Sequence, residues 1–200
     1  GSVKITGSAV VGRVLQAEYM GEEVSPSYQW YRGERAISGA TNASYTVTEE
    51  DRGQILTVRV RGSKPGYIEK KTAVVLTEEE AGMWPVSQCE EPQKDAQGVY
   101  QIGTERELKW FVSFVNGGNP SADAKLTGNI ELQSASWYPI GSSRVPYTGT
   151  FDGNGKKIRN FRLSSSGNEQ GFFGNVGGKG EVKDLHLSGT VEVIGSSAIA

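Results

Sequence analysis

The residues best suited by type to acid–base chemistry are five carboxylates in the second half of the chain: Glu131, Asp152, Glu169, Glu181 and Asp184. Two of them paired, or one beside a carboxylate-bound cation, could cleave a polysaccharide. Their surroundings point elsewhere. Asp152 opens the turn-forming run Asp152-Gly153-Asn154-Gly155-Lys156, and Asp184 takes the place of Asn160 in a repeated pattern. A role that Asn fills equally well is turn geometry rather than proton transfer. The same run begins like an EF-hand loop, but Lys156 falls on the third ligand position and Lys157 on the required glycine, so the calcium motif fails. The single His186 excludes a two-histidine metalloprotease helix, and Glu181 stands five residues from it. The single Cys89 excludes both an internal disulfide and a multi-cysteine zinc site. No cofactor or metal site is expected, and the segment reads as non-enzymatic.

Binding chemistry is better supplied. Ile158-Arg159-Asn160-Phe161-Arg162-Leu163 aligns with Val182-Lys183-Asp184-Leu185-His186-Leu187 at an offset of 24 residues (182 minus 158). If that offset is one coil of a repeat, Arg159 stacks on Lys183 and Arg162 on His186, since neighbouring strands lie about 4.8 Å apart. Such a basic column could hold a sulfated or sialylated glycan; solvated strand-face charges are the plainer reading. Trp110, Trp137 and Tyr138 offer a sugar platform or, alternatively, core packing.

The elements that must position these groups are mostly strands and turns. Gly and Pro together make 34 of 200 residues, with 27 of them Gly, a profile against a helical bundle. Net charge is −2, too balanced to suggest nucleic acid as a partner. No apolar run is long enough for a membrane helix and no signal-peptide pattern opens the chain. Gly1-Ser2 fits either a native start or a tag-cleavage scar. Residues 1–80 hold 9 glycines and the remainder 18. The polar stretch over 78–98 has no apolar periodicity and reads as a linker, with Trp84 and Pro85 pinning it to one domain.

In residues 1–77, Leu15, Ala17 and Tyr19 share one strand face, as do Tyr28 and Trp30, Tyr45 and Val47, and Leu56, Val58 and Val60. Thr57, Arg59 and Arg61 fall on the opposite, wet face. Ser63-Lys64-Pro65-Gly66 suits a type II turn. About seven short strands suggest a small β-sandwich. The ordered motifs Tyr28-Gln29-Trp30-Tyr31-Arg32, Tyr45-Thr46-Val47, Asp51-Arg52-Gly53 and Leu56-Thr57-Val58-Arg59-Val60 resemble the bacterial immunoglobulin-like repeats of cell-surface proteins. The resemblance implies a spacer or adhesive module with Trp30 at its core.

Residues 99–200 open differently. Thr104-Glu105-Arg106-Glu107 fits a capping box, followed by Leu108, Phe111, Phe114 and Val115 at helical spacing and a stop at Asn116-Gly117-Gly118. Strands and tight turns return after it, with the hairpin-type dipeptides Asp152-Gly153 and Asn154-Gly155. The 24-residue period suits a β-helix whose first coil the helix caps. Thr190-Val191-Glu192-Val193-Ile194 should then be an open edge, as expected of a piece of a longer solenoid.

Glu107-Leu108-Lys109-Trp110-Phe111, Trp137-Tyr138-Pro139-Ile140-Gly141, Tyr147-Thr148-Gly149-Thr150-Phe151-Asp152-Gly153 and Gly171-Phe172-Phe173-Gly174-Asn175-Val176 occur in order. Together they resemble right-handed parallel β-helix regions with GLUG-type repeats, found in large surface proteins of gut Gram-positive bacteria and in IgA-cleaving metallopeptidases. The resemblance implies an extracellular, wall-attached or secreted segment: a stalk and binding scaffold for host glycan or glycoprotein, with immunoglobulin among the candidates. Two alternatives stay open: an antibody-contacting accessory region of such a peptidase, and a carbohydrate-active β-helix enzyme. The candidate ligand-binding residues are Arg159, Arg162, Lys183 and His186.

Overall fold

The computed structural model describes residues 1–21, 25–62, 65–134, 136–165 and 169–193. The chain is mainly β, with one α-helix among the described residues, and divides into two compact units, Gly1–Ala81 and Gly82–Ala200.

The first unit contains β1 (Ser2–Thr6), β2 (Val14–Met20), β3 (Ser27–Arg32), β4 (Arg35–Ala36), β5 (Ser44–Thr46), β6 (Ile55–Arg61) and β7 (Ile68–Val74). They form two antiparallel sheets, ordered β1-β2-β5 and β4-β3-β6-β7. Both sheets contribute to one apolar core of Val3, Leu15, Ala17, Trp30, Val47, Leu56, Val58, Val60 and Val75. The alternation in the sequence therefore marks the inward row, but Thr57, expected on the wet face, is buried as well. Trp30 is fully buried; its ring stacks on Tyr45 at 5.6 Å, and its indole N–H donates to the Asn42 carbonyl at 3.0 Å. That bond keeps the one polar atom of the ring satisfied inside the core. Gly66 has φ +100°, in keeping with the turn expected after Pro65; Ser63 and Lys64 lie outside the described residues.

A second device holds this unit together. Asp51 is fully buried, and its carboxylate accepts four bonds: from Arg32 Nε (2.7 Å), Tyr45 Oη (2.8 Å), Thr48 N (2.8 Å) and Thr48 Oγ1 (3.0 Å). Burial pushes the Asp51 pKa up, but the Thr48 amide, the Tyr45 hydroxyl and Arg32 outweigh it and hold the group below its ordinary value.

In the second unit the segment read as a linker is part of the folded body from residue 82 onward. Trp84 is buried, its backbone N–H donates to Ser113 Oγ at 2.7 Å, and Lys109 Nζ lies 4.6 Å from its ring centroid. Arg106 donates to the carbonyls of Ser87 and Cys89, both at 3.1 Å. Local polarity hid this, because the segment is fastened by a few anchors rather than by a periodic face. Strand β8 (Tyr100–Ile102) leads into α1 (Glu105–Asn116). The capping box is formed: Glu107 N donates to Thr104 Oγ1 at 3.2 Å and Thr104 N to Glu107 Oε2 at 2.9 Å. The buried face is Leu108, Phe111, Val112 and Val115. Phe114, expected in that row, is half-buried and stacks on Trp110 at 4.7 Å.

Beyond α1 come β9 (Ala124–Leu126), β10 (Ile130–Glu131), β11 (Thr150–Asp152), β12 (Lys157–Ser165), β13 (Glu181–Lys183) and β14 (His186–Val193). These strands pair with one another in parallel, in two sheets ordered β8-β9-β11-β13 and β10-β12-β14, and Tyr100 of β8 also makes an isolated antiparallel bridge to Lys94. Two further parallel bridges, Ile140 with Phe173 and Tyr147 with Val176, mark another stacked path between successive coils. The Asp-Gly and Asn-Gly dipeptides do not make a hairpin. They turn the chain through a corner from β11 in one sheet to β12 in the other, with Asn154 at φ 49° and Gly155 at φ +66°. Asp184 makes the corresponding corner at φ 50°, so its counterpart by conformation is Asn154. Asn160, also left-handed at φ 57°, sits instead in a bulge between Ile158 and Phe161.

Inward columns run through the coils. Phe151 and Ile158 are fully buried, and Phe151 meets Phe111, Phe172 and Phe173 at 5.4–6.1 Å between centroids. Coil spacing also constrains the backbone. A Cβ at Gly189 would run into the Phe161 carbonyl oxygen opposite it. At the last described coil the columns lose their cover: Val176, Val182 and Leu187 are 42%, 38% and 42% exposed. β13 and β14 are edge strands there, so the Thr190–Val193 part of the anticipated open edge lies on an edge strand; Ile194 is outside the described residues.

Candidate binding groove

The four residues singled out for a basic column are all exposed, but the structure does not stack them as expected. Ile158 pairs with Leu187, an offset of 29 (187 minus 158), and Arg162 with Thr190, an offset of 28 (190 minus 162). The register of 24 is therefore corrected. Lys183 lies against Asp152, and His186 against Lys157. Arg159 is paired with Glu131 of the preceding coil at 3.0 Å, so its neighbour is an opposite charge. The physical reason is corner length: from β11–β12 to β13–β14 the offset falls from 31 (182 minus 151) to 29. A fixed period cannot follow it.

Three of the five carboxylates, Glu131, Asp152 and Glu169, are engaged separately. Glu131 also accepts from Asn160 Nδ2 at 3.0 Å, and Asp152 from Asn154 N at 2.7 Å. Glu169 accepts from Ser143 N at 2.9 Å and from Asn175 Nδ2 at 3.2 Å, and these bonds lower its pKa. Trp137 is buried and stacked on Phe172 at 4.7 Å, while Tyr138 packs on Trp84 at 4.8 Å. Both belong to the core. Trp110 is half-buried, packed against the core with its ring 5.1 Å from that of Tyr100.

A different cluster converges on the first unit. With Trp30, Val58 and Val60 turned inward, the pleat directs Gln29, Tyr31, Arg59 and Arg61 to the other face of the β4-β3-β6-β7 sheet. Register sets Gln29 opposite Arg59, Ser27 opposite Arg61 and Glu69 opposite Arg59. The Arg59 guanidinium carbon stands 4.3 Å from the Tyr31 ring centroid and 4.8 Å from that of Tyr67. Its Nε meets Glu69 and its Nη2 meets Glu34, both at 3.3 Å. Tyr31 first, then Glu69, raises the Arg59 pKa above its usual value. Arg59 thus fixes two aromatic rings beside one another by cation–π contact.

Ser27, Gln29, Tyr31, Arg59 and Tyr67 border a groove of about 250 Å³, completed by Tyr28 and Arg61. At ~30 Å³ per liquid water it holds about eight waters, the size class of one sugar ring. Its lining carries guanidinium, phenol and hydroxyl groups and no carboxylate. A larger and more open groove of about 670 Å³ runs along Arg32, Asn42, Tyr45 and Thr48. Its arginine and its tyrosine are both committed to the buried Asp51 beneath it, and the arginine to Glu50 as well. The smaller groove is therefore the better candidate. The sequence placed Arg59 and Arg61 on a wet face but carried no sign that Tyr67, beyond the β6–β7 turn, would close over Arg59.

Among the described residues no group of three or more His, Cys, Asp or Glu is placed to hold a metal ion, and no helix is long and apolar enough to cross a membrane. No family model matches the chain. A protein of Evansella cellulosilytica described as "Putative Gly-rich membrane protein" is 34% identical over 79 residues, which is 38% of this chain. The chain spans 9% of that relative's length.

Proposed function

We propose that this chain is a non-catalytic segment of a bacterial cell-surface protein, serving as stalk and as binding scaffold for host glycan or glycoprotein. In this reading the first unit is an immunoglobulin-like sandwich. The second is a right-handed β-helix whose first coil α1 covers. The observation that carries the binding half is the donor-lined groove of Tyr31, Arg59, Arg61 and Tyr67. Its rings are held in place by Arg59 before any ligand arrives, which reduces the ordering cost of association. The stalk half rests on the stacked parallel strands, an arrangement that builds length by adding similar coils. The partial likeness to a much longer Gly-rich membrane protein is in keeping with both.

The test is a glycan array probed with the purified chain, with capture of immunoglobulin A from serum in parallel. Retention of the chain by glycans or by the glycoprotein is expected. A folded chain retained by neither would leave a spacer without a binding role.

A further inference from the structure

We infer that the groove on the first unit takes an acidic sugar, with a carboxylate or sulfate received by Arg61 and Arg59 and the sugar ring laid against Tyr67. This deepens the binding half of the proposed function and rests on it.

Three features lead to this chemistry. First, the lining is donor-rich. Arg59 is tied to carboxylates through Nε and Nη2, and Nη1 is bonded to neither of them. Arg61 is exposed on the same face, two residues along β6, and forms no ion pair among the described residues. A ligand that satisfies such a set must be acceptor-rich, and charge-assisted bonds to guanidinium are about twice as strong as neutral ones.

Second, the competing acceptors stand outside. Glu34 and Glu69 hold Arg59 but do not line the groove. A negatively charged group entering beside Arg61 therefore does not have to displace a lining carboxylate.

Third, the aromatic surface has the form that sugars use. Tyr67 is 49% exposed although Arg59 lies against its ring. A half-exposed phenol beside a fixed cation offers an apolar face to the C–H groups of a pyranose while its hydroxyl stays wet. Neutral sugars would use the ring and leave the cations unmatched; small inorganic anions would use the cations and leave the ring bare.

The experiment is an NMR titration of the isotope-labelled 200-residue chain with three probes: 3′-sialyllactose for the carboxylate, a sulfated disaccharide for the sulfate, and lactose as the neutral control. One or both acidic probes should shift the amides of β3, β6 and residues 65–69, with lactose at least about fivefold weaker, the scale of one charge-assisted hydrogen bond. The preferred acid then identifies the source. Affinity should fall as NaCl is raised from about 0.01 to about 0.15 M, because screening shortens from ~30 to ~8 Å.

Arg61→Ser should weaken the acidic probe at least about fivefold and Tyr67→Ala about threefold. Both side chains are exposed, so the fold should survive; unchanged amide dispersion away from the groove checks it. Lactose binding as tightly as the acids would overturn the inference while leaving the proposed function standing. So would undiminished glycan or immunoglobulin capture by the Arg61→Ser/Tyr67→Ala double variant. Failure of the wild-type chain to capture anything on the array or from serum would instead remove the reading beneath it.

Discussion

The two units solve the same problem, burying an apolar row on short strands, by opposite routes. In the first, antiparallel strands of up to seven residues carry an inward row at every second position, and the core gathers around one tryptophan with a buried, fully bonded carboxylate nearby. In the second, several strands are only two or three residues long, and corners with left-handed residues follow β11 and β13. Alternation holds within these short strands, but the inward rows are continued only from one coil to the next. Antiparallel order is therefore written locally, while parallel order is written in the fit of one coil on the next. This follows from the connections: adjacent antiparallel strands can join through tight turns, whereas each parallel pairing waits for a crossover.

The largest effect that would break this comparison is expected from Phe151→Ala. Its ring is fully buried and faces aromatic neighbours from α1 and from the coil above. Truncation should cost about 3–5 kcal/mol. Hydrogen exchange should show faster opening of β9, β11 and β12 together. A loss confined to β11 would mean that the coils do not support one another through the column.

Asp51→Ala probes the other route, at about 3 kcal/mol, the scale for stripping one partner from a buried charge pair. Its effect should fall on β3, β5 and the Thr48 turn. A pH series sharpens the point. Because the folded state holds Asp51 below its ordinary pKa, folding releases protons at low pH. The stabilisation is complete above about pH 4, the unfolded carboxyl value, and is lost as pH falls through the lowered folded value. Chemical denaturation between about pH 6 and about pH 2 should show this loss, and Asp51→Asn should flatten that part of the profile. An unaltered slope would mean that other carboxylates carry the acid sensitivity.

The smallest effect is expected from Arg159→Ser. The Arg159–Glu131 bridge links two coils, but both side chains are about half exposed, so its loss should cost at most about 0.5 kcal/mol. A cost several times larger would mean that charge, and not the aromatic column, sets the register between coils.

The legibility of the molecule divides along the same line. The inward rows Leu15–Ala17 and Leu56–Val58–Val60, the Trp30 core position and the Thr104–Glu107 cap could all be read, because each depends on residues within a few positions of one another. The left-handed conformation at Asn154 and Asp184 was legible too, since Asn and Asp tolerate it with little cost. What those corners joined was not. Asn-Gly specifies a bend, and whether the next strand returns to the same sheet or enters another depends on what it meets. Likewise, the six-residue likeness of Ile158–Leu163 to Val182–Leu187 compares residues within β12 with a stretch that crosses the Asp184 corner. Similar letters there occupy different walls. The groove was half legible: alternation exposed Arg59 and Arg61, but Tyr67 reaches them through a turn whose path no local pattern encodes.

The exposed trio Val176, Val182 and Leu187 gives the second unit a polarity like that of a crystal step. The apolar rows there meet the edge strands β13 and β14, and edge strands present a row of backbone donors and acceptors that can pair. A strand added to them would find its register prepared by the one beneath. Association of the chain should therefore rise with its concentration, which light scattering would show.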